Sequence, residues 1–381
     1  MPFFSFSLKD SSNQFKSQKI ENNKTYFSKN TTLWKKLSSK KLEKIINHLQ
    51  YEERKKIGNL KKNILFCLPP RIGLGDAIEY GLAIKSISES NKFKKIGVAF
   101  ADKYSFIFKK KFNIKFLYPI LISENDLNSF DNIFHFTLEV ESLRTQKYLR
   151  SDIVLQVCNF FNVPQTKFYE NKYIKNKKIK KISIFPISTS SLRTMPINVI
   201  NELLLFLKNK IKIEIFLDDN SDISKIVEKS LIYKNYIKKN PKNLNTLIKS
   251  IEEIDFGIFV DSGPLHVAKL LGKKGILLET SVSGKILLNN YKKIKLVKNT
   301  FSSNFCNAAC GLVDIFSFNN KVGCYSSISI NQKEILSLKN FHSLQRREVK
   351  KNNLFYLLNP VGCVKTINIK NIKNLIKSEV F

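Results

Sequence analysis

Four residues of useful chemistry fall close together in FGIFVDSGPLHVAKLLG at 256–272: Asp261, Ser262, Gly263 and His266. Asp261 can hold a turn or accept from a ligand hydroxyl. Ser262 can donate a hydroxyl, and Gly263 lets a ligand approach the backbone closely. His266 stands about one turn into the segment that follows. Where a strand turns into a helix, free N–H groups and the positive end of the helix dipole aim at one point, which suits a phosphate. The same residues also fit an ordinary capped strand-to-helix turn, and spacing alone does not separate the two. A second stretch, ISTSSLRTMP at 187–196, sets the hydroxyls of Ser188 and Thr189 before the cation Arg193. A third, PPRIGLGDA at 69–77, carries Arg71, Gly73, Gly75 and Asp76. Asp76 falls where a helix N-cap belongs, and a carboxylate there can serve as cap or as general base.

The elements that must position these residues repeat one pattern. Apolar runs at 63–68, 96–100 and 132–136 read as buried strands, with helices predicted over 76–88, 104–112 and 149–161. The pattern then restarts: strands at 182–186, 211–217, 256–260 and 275–278, with helices over 197–207, 223–230 and 244–251 and one after Pro264 that ends at Gly272. Alternating strands and helices imply parallel sheets, with ligands outside the carboxyl ends of the strands. The lysine-rich run 171–181 reads as a solvated linker. The expected organisation is an extension (1–58), two Rossmann-like domains (59–172 and 173–300) and a cysteine-containing tail (301–381). In the extension, the first thirty residues read as poorly ordered. Leu33, Leu37, Leu42, Ile45, Ile46 and Leu49 form a helical stripe over 32–57.

The 381 residues carry 65 Lys plus Arg against 31 Asp plus Glu, a formal charge of +34. The excess is almost all lysine scattered through every segment, without the Arg and aromatic clustering of a nucleic-acid surface. It favours anionic partners, including nucleotide diphosphates and anionic lipid headgroups. No apolar run approaches the ~20 residues of a membrane span, and the first residues lack signal-peptide features, so a cytoplasmic location is expected.

Three stretches in order resemble the ADP-heptose:lipopolysaccharide heptosyltransferase family of GT-B glycosyltransferases. ILFCLPPRIGLGDAIEYGLAIKSI is similar to the family's strand, Gly-Asp and helix opening. STSSLRTMP is similar to its Ser/Thr-rich loop ending in a basic residue and x-Trp-Pro, and FVDSGPLHVAKLLG to its Asp-[Ser/Thr]-Gly-x-x-His-x-Ala signature. The resemblance implies an α/β GT-B fold, two Rossmann-like domains with parallel sheets facing across a cleft. It implies inverting transfer of a sugar, by default heptose from ADP-heptose, without metal or other cofactor, to a lipid-linked anionic glycan at the inner membrane surface. Asp76 matches the catalytic Asp, in an acceptor loop with Arg71, Gly73 and Gly75. Ser188, Thr189 and Arg193 match phosphate contacts, and Asp261, Ser262, Gly263 and His266 match the diphosphate signature. Asp219 or Asp222 takes the place of a ribose-binding Glu. Two positions depart from the pattern. Met195 replaces the Trp, and Glu279 stands where Gly is usual, where a carboxylate would repel phosphate or bind a sugar hydroxyl. The alternatives are a catalytically idle nucleotide-sugar-binding homologue and, on charge alone, a basic nucleic-acid-binding protein with salt-dependent affinity.

Of the six cysteines, Cys306, Cys310, Cys324 and Cys363 lie in the tail. A zinc site from these four is conceivable, but they lack paired C-x-x-C spacing and read better as buried structural thiols. VGCYSSISIN (322–331) and VGCVKTINIK (361–370) echo one another and read as a duplicated helix-start motif.

Overall fold

A computed structural model describes residues 3–8, 15–20, 45–47, 63–69, 72–100, 102–119, 121–136, 153–166, 178–289, 291–331 and 346–381. The chain divides into two units, Met1–Thr166 and Lys167–Phe381. Both are α/β, and each is built on a parallel sheet.

The first unit starts with β1 (Phe3–Leu8) paired antiparallel to β2 (Phe15–Ile20). The rest of the first thirty residues lies outside the described residues. β3 (Ile45–Asn47) is a strand within the predicted helix of the extension; the remainder of that stripe, with Trp34, lies outside the described residues. Ile45 and Ile46 are β-branched, and pairing with a strand edge overrides their helical spacing. β4 (Asn63–Cys67), β5 (Lys95–Phe100), β6 (Phe116–Pro119) and β8 (Asn132–His135) form a parallel sheet in the order β6-β5-β4-β8. β7 (Leu121–Ser123) pairs with β3 instead. β6 was not anticipated. It lies at the sheet edge, where the proline that hides it in sequence is tolerated. The expected helix over 104–112 is a short turn at Asp102–Tyr104 followed by a helix at Ser105–Lys110. A further helix, Glu124–Asn128, precedes β8, and the helix Ile153–Phe160 closes at Asn162 with a positive φ. The interior is aromatic: Phe66 meets Phe134, Phe136 and Phe161 at ring-centre distances of 5.7–5.9 Å, and Tyr80 stacks on Phe136 at 4.2 Å.

The second unit contains β9 (Lys181–Phe185), β10 (Lys212–Phe216), β11 (Ile237–Lys239), β12 (Phe256–Phe259), β13 (Gly275–Leu278) and β14 (Ile294–Val297). All are parallel, in the order β11-β10-β9-β12-β13-β14. Lys181 belongs to β9 and not to the linker; 167–177 lie outside the described residues. One sheet face packs Ile182, Ile184, Ile213, Ile215 and Ile258 against the helix Ile197–Leu207 and the tail helix Ile369–Val380. The other carries stacked rings, Phe185 on Phe216 at 4.1 Å and on Phe259 at 4.8 Å. Gly257 makes room for this stack, since a Cβ there would sit 2.2 Å from the Phe259 ring. Met195, at the position of the expected Trp, is fully buried in the isoleucine core.

The tail adds a hairpin, β15 (Phe316–Phe318) with β16 (Lys321–Gly323), and the helices Arg346–Leu358, Gly362–Lys365 and Ile369–Val380. The echoed motifs do not share a structure. Val361 caps a helix, whereas Val322 and Gly323 end a strand that leads into turns. All six cysteines are free thiols. Burial raises those of Cys306 and Cys363, and pushes Cys310 up to about 11. Among the described residues, no three His, Cys, Asp or Glu side chains are grouped to hold a metal ion, and no helix is long and apolar enough to cross a membrane.

Candidate functional site

In each sheet the chain starts at an inner strand, moves outward one way, then returns to the other side. The reversal lies between β4 and β8 in the first unit and between β9 and β12 in the second. Loops leaving neighbouring strands at such a point diverge and open a crevice at the carboxyl edge. Most candidate residues of sequence lie in the loops and helix starts that follow β4, β9 and β12, whereas Asp219 and Asp222 follow β10.

In the second unit, Phe185 pairs with Phe259, so the loops at 186–196 and 260–262 emerge side by side. They are tied together. Ser188 Oγ donates to the Asp261 carbonyl at 2.7 Å, and Arg193 Nη1 lies 3.2 Å from Asp261 Oδ2. Arg193 Nη2 also donates to Thr189 Oγ1 at 2.5 Å, and its Nε to the Val313 carbonyl at 2.9 Å. The guanidinium is thus fixed in position, with its side chain still 18% exposed. Beside it begins the helix Gly263–Leu270. Ser262 stands at its N-cap in extended conformation, but no side chain caps the helix; Ser262 Oγ donates at 3.3 Å to the Val260 carbonyl instead. Pro264 has no N–H and the Leu265 N–H donates to the Ser262 carbonyl at 3.1 Å, so what this start offers an anion is mainly the positive end of its dipole. His266 is buried one turn further on. Ser188, Thr189, Arg193, Asp261, Ser262, Gly263 and His266 thus belong to two adjoining loops and one helix start.

Three other predictions turn out differently. Asp219 is exposed and pairs with Lys238 at 2.7 Å and Lys242 at 3.5 Å, so its carboxyl is held below the usual range, chiefly by the Lys238 hydrogen bond. Asp222 opens the first turn of the helix Asp222–Ser230 behind the Ser221 cap. Glu279 is buried, and its two oxygens accept the backbone N–H of Gly284 at 2.8 Å and of Asn299 at 3.0 Å. A buried carboxylate held by backbone donors is a brace for the loop after β13.

In the first unit, the helix after β4 starts earlier than predicted, at Leu74, with Gly73 as N-cap and Gly75 in the first turn. Asp76 is therefore not the cap. It is exposed in the first turn, at the positive end of the helix. A Cβ on Gly73 would lie 3.3 Å from Asp76 Oδ2, so the glycine keeps the carboxylate clear. Tyr104 donates its hydroxyl to the Ile72 carbonyl at 2.7 Å and so fixes the approach to this helix. Burial, with the charge of Asp76 added, pushes the tyrosine up to about 12 and keeps it a donor. Arg71 lies outside the described residues.

Sequence reasoning missed the groups that hold the Ser188–Arg193 loop from behind. Thr194 Oγ1 donates to the Ser190 carbonyl at 2.9 Å and accepts from the Ser188 N–H at 3.1 Å. Asn353 accepts from Ser191. The run of hydroxyls was visible, but Asn353 lies 162 residues away.

No family model matches the chain, and no curated protein is similar to it in sequence. Solved structures do resemble it. A glycosyl transferase family 9 protein from Veillonella parvula aligns over 80% of this chain and 100% of its own, with a TM-score of 0.50 at 13% identity. Two parallel-sheet units in this order have the fold of that protein. The E. coli ADP-heptose lps heptosyltransferase II aligns over 78% of this chain and 98% of its own (TM-score 0.46, 11% identity). E. coli heptosyltransferase WaaC, solved with ADP-2-deoxy-2-fluoro heptose, aligns over 62% and 93% (TM-score 0.44, 10% identity). At these identities the likeness is one of fold.

Proposed function

We propose that the chain is an inverting glycosyltransferase that moves a sugar from a nucleotide diphosphate to a surface-glycan acceptor. The observation that carries this reading is the Ser188–Asp261–Arg193 linkage beside an uncapped helix start at the reversal between β9 and β12. A fixed cation, the Thr189 hydroxyl and the positive end of a helix suit a diphosphate leaving group whose charge grows as its bond to the sugar breaks. These donors supply that stabilisation from the chain itself, and the reaction as proposed needs no cofactor. Asp76 is the general base: its carboxylate takes the proton of the acceptor hydroxyl, whose oxygen attacks the anomeric carbon as the sugar–phosphate bond breaks. Its exposure and its place at a helix start support this role.

ADP-heptose is the default donor, on the motif resemblance, and another nucleotide sugar keeps the same chemistry. The acceptor is a lipid-linked anionic glycan, reached by peripheral contact at the cytoplasmic face of the inner membrane; the charge of +34 favours both. The test is thermal stabilisation by ADP, UDP, GDP, CMP and ADP-heptose. A ligand at 100 times its Kd adds about 2.7 kcal/mol. A selective rise with ADP, larger with ADP-heptose, is expected. A rise with UDP or GDP alone would change the donor, and no rise with any of them would overturn the reading.

A further inference from the structure

The loop that carries Arg193 is not held by its own sheet alone. Ser191 directs both its N–H and its hydroxyl at Asn353 Oδ1, each at 2.9 Å. Asn353 belongs to the tail helix Arg346–Leu358 and is 4% exposed. Its own amide donates to Asp314 Oδ1 at 3.0 Å, and Asp314 Oδ1 also accepts the Ile315 N–H at 2.8 Å. One residue earlier, the Val313 carbonyl accepts a hydrogen bond from the Nε–H of Arg193. Between these two anchors Leu192 packs against Ile315 and Cys324, and its carbonyl accepts from Ser281 Oγ at 3.2 Å. Ser191, Leu192 and Arg193 are thus each fastened to the tail.

We propose that the tail is part of the donor site, with Asn353, backed by Asp314, as the positioning residue that sets the Ser188–Arg193 loop for a nucleoside diphosphate. The proposal rests on the glycosyltransferase reading for its ligand, but the clamp itself is a property of the loop. The logic is one of satisfied donors. Ser191 is 3% exposed, so its N–H and hydroxyl have no water to turn to if Asn353 is lost. The loop must then shift to satisfy them, and Arg193, two residues on, shifts with it. Binding of the diphosphate weakens, while a base on the other unit is untouched.

The polarity of the pair provides the test. Asn353→Ala should speed backbone hydrogen exchange in a peptide covering 187–195, leave peptides from β12 and β13 unchanged, and weaken ADP binding about tenfold. The loss should appear in donor KM, with kcat nearly unchanged. Asn353→Asp keeps the acceptor for Ser191 but sets a carboxylate against Asp314. Two carboxylates that close cannot both ionise freely, so this variant should be impaired at pH 8 and recover as the pH is lowered towards 5. Asn353→Asp combined with Asp314→Asn reverses donor and acceptor and should restore exchange and ADP affinity to within about twofold of the parent. Unchanged exchange at 187–195 in Asn353→Ala, or a double variant no better than Asn353→Asp, would overturn the clamp. A parent protein that binds no nucleotide would sink the glycosyltransferase reading, and the exchange results would still decide the clamp.

Discussion

The two sheets share a plan and differ in what they bury. Among the described residues of known burial, the first unit buries no charged side chain; its buried hydroxyls include those of Ser86 and Tyr104, satisfied by the Leu82 and Ile72 carbonyls. The second buries Glu214, Asp261, His266, Lys269 and Glu279. The reversal between β4 and β8 carries an exposed carboxylate, Asp76, held clear by a glycine. The reversal between β9 and β12 carries a cation locked by hydrogen bonds to Thr189, Asp261 and Val313. A base needs access and freedom to take a proton. A diphosphate site needs charge fixed in advance, because donors already in place need no reorganisation as the leaving group forms. The contrast is what an unequal division of labour between acceptor and donor would demand.

The hardest blow to that comparison would come from Asp76. Asp76→Asn keeps the shape and removes the base, so turnover should fall about 10²–10⁴-fold while ADP affinity stays within experimental error of the parent. Single-turnover kinetics together with nucleotide titration measure the two separately. A parallel loss of ADP binding would show that the two reversals are not functionally separate.

The comparison also shows which parts of the molecule could be read from residues. Buried parallel strands such as 256–260 and 182–186 are short apolar runs bounded by turn residues, and they stand out. So did the Ser188–Arg193 and Asp261–His266 stretches, because each is local in sequence. The edge strands β6 and β11 did not, since an edge strand needs neither a continuous apolar run nor a proline-free one. Asp76 was misplaced by one turn because Gly73, an equally acceptable cap, precedes it. The bracing of Glu279 was not legible, because its partners are the backbone N–H groups of Gly284 and Asn299, which no residue type announces. Asn353 was invisible for the same reason of distance: its meaning lies in Ser191.

Burial of charge should also separate the units in acid. Glu214 is pushed up by burial, but hydrogen bonds from Ser183 and Lys181 and the charges of Lys181 and Lys239 outweigh this and leave its carboxyl below the ordinary 4.5. A carboxyl whose folded value is depressed stabilises the fold above its unfolded value, and that contribution is lost as pH falls through the folded value. As the pH falls below the ordinary carboxyl range the second unit should therefore lose stability through this one proton. Hydrogen exchange read unit by unit between pH 5 and 3 should show β9 and β10 loosening before β4 and β5. Glu214→Gln should flatten that difference. Simultaneous loosening in both units of the parent would mean that the buried charges do not set the order.

The smallest effect expected is at Asp219, and it sharpens the boundary of the proposed donor site. The motif resemblance sets Asp219 or Asp222 in the role of a ribose-binding carboxylate, at the end of β10 next to the Ser188–Arg193 loop. Asp219, however, is already engaged by Lys238, Lys242 and the Asn240 amide on the far side of β10, towards β11. A ribose hydroxyl would have to compete with two ammonium groups for it. Asp222 lies in the first turn of its helix, where a carboxylate favours the dipole with no ligand at all. Asp219→Ala should therefore change ADP affinity by less than about twofold, the scale of an exposed surface pair. If Asp219→Ala weakens ADP tenfold while leaving inorganic diphosphate binding intact, the donor site extends past β10, and the lysines that now hold Asp219 must release it when the nucleotide binds.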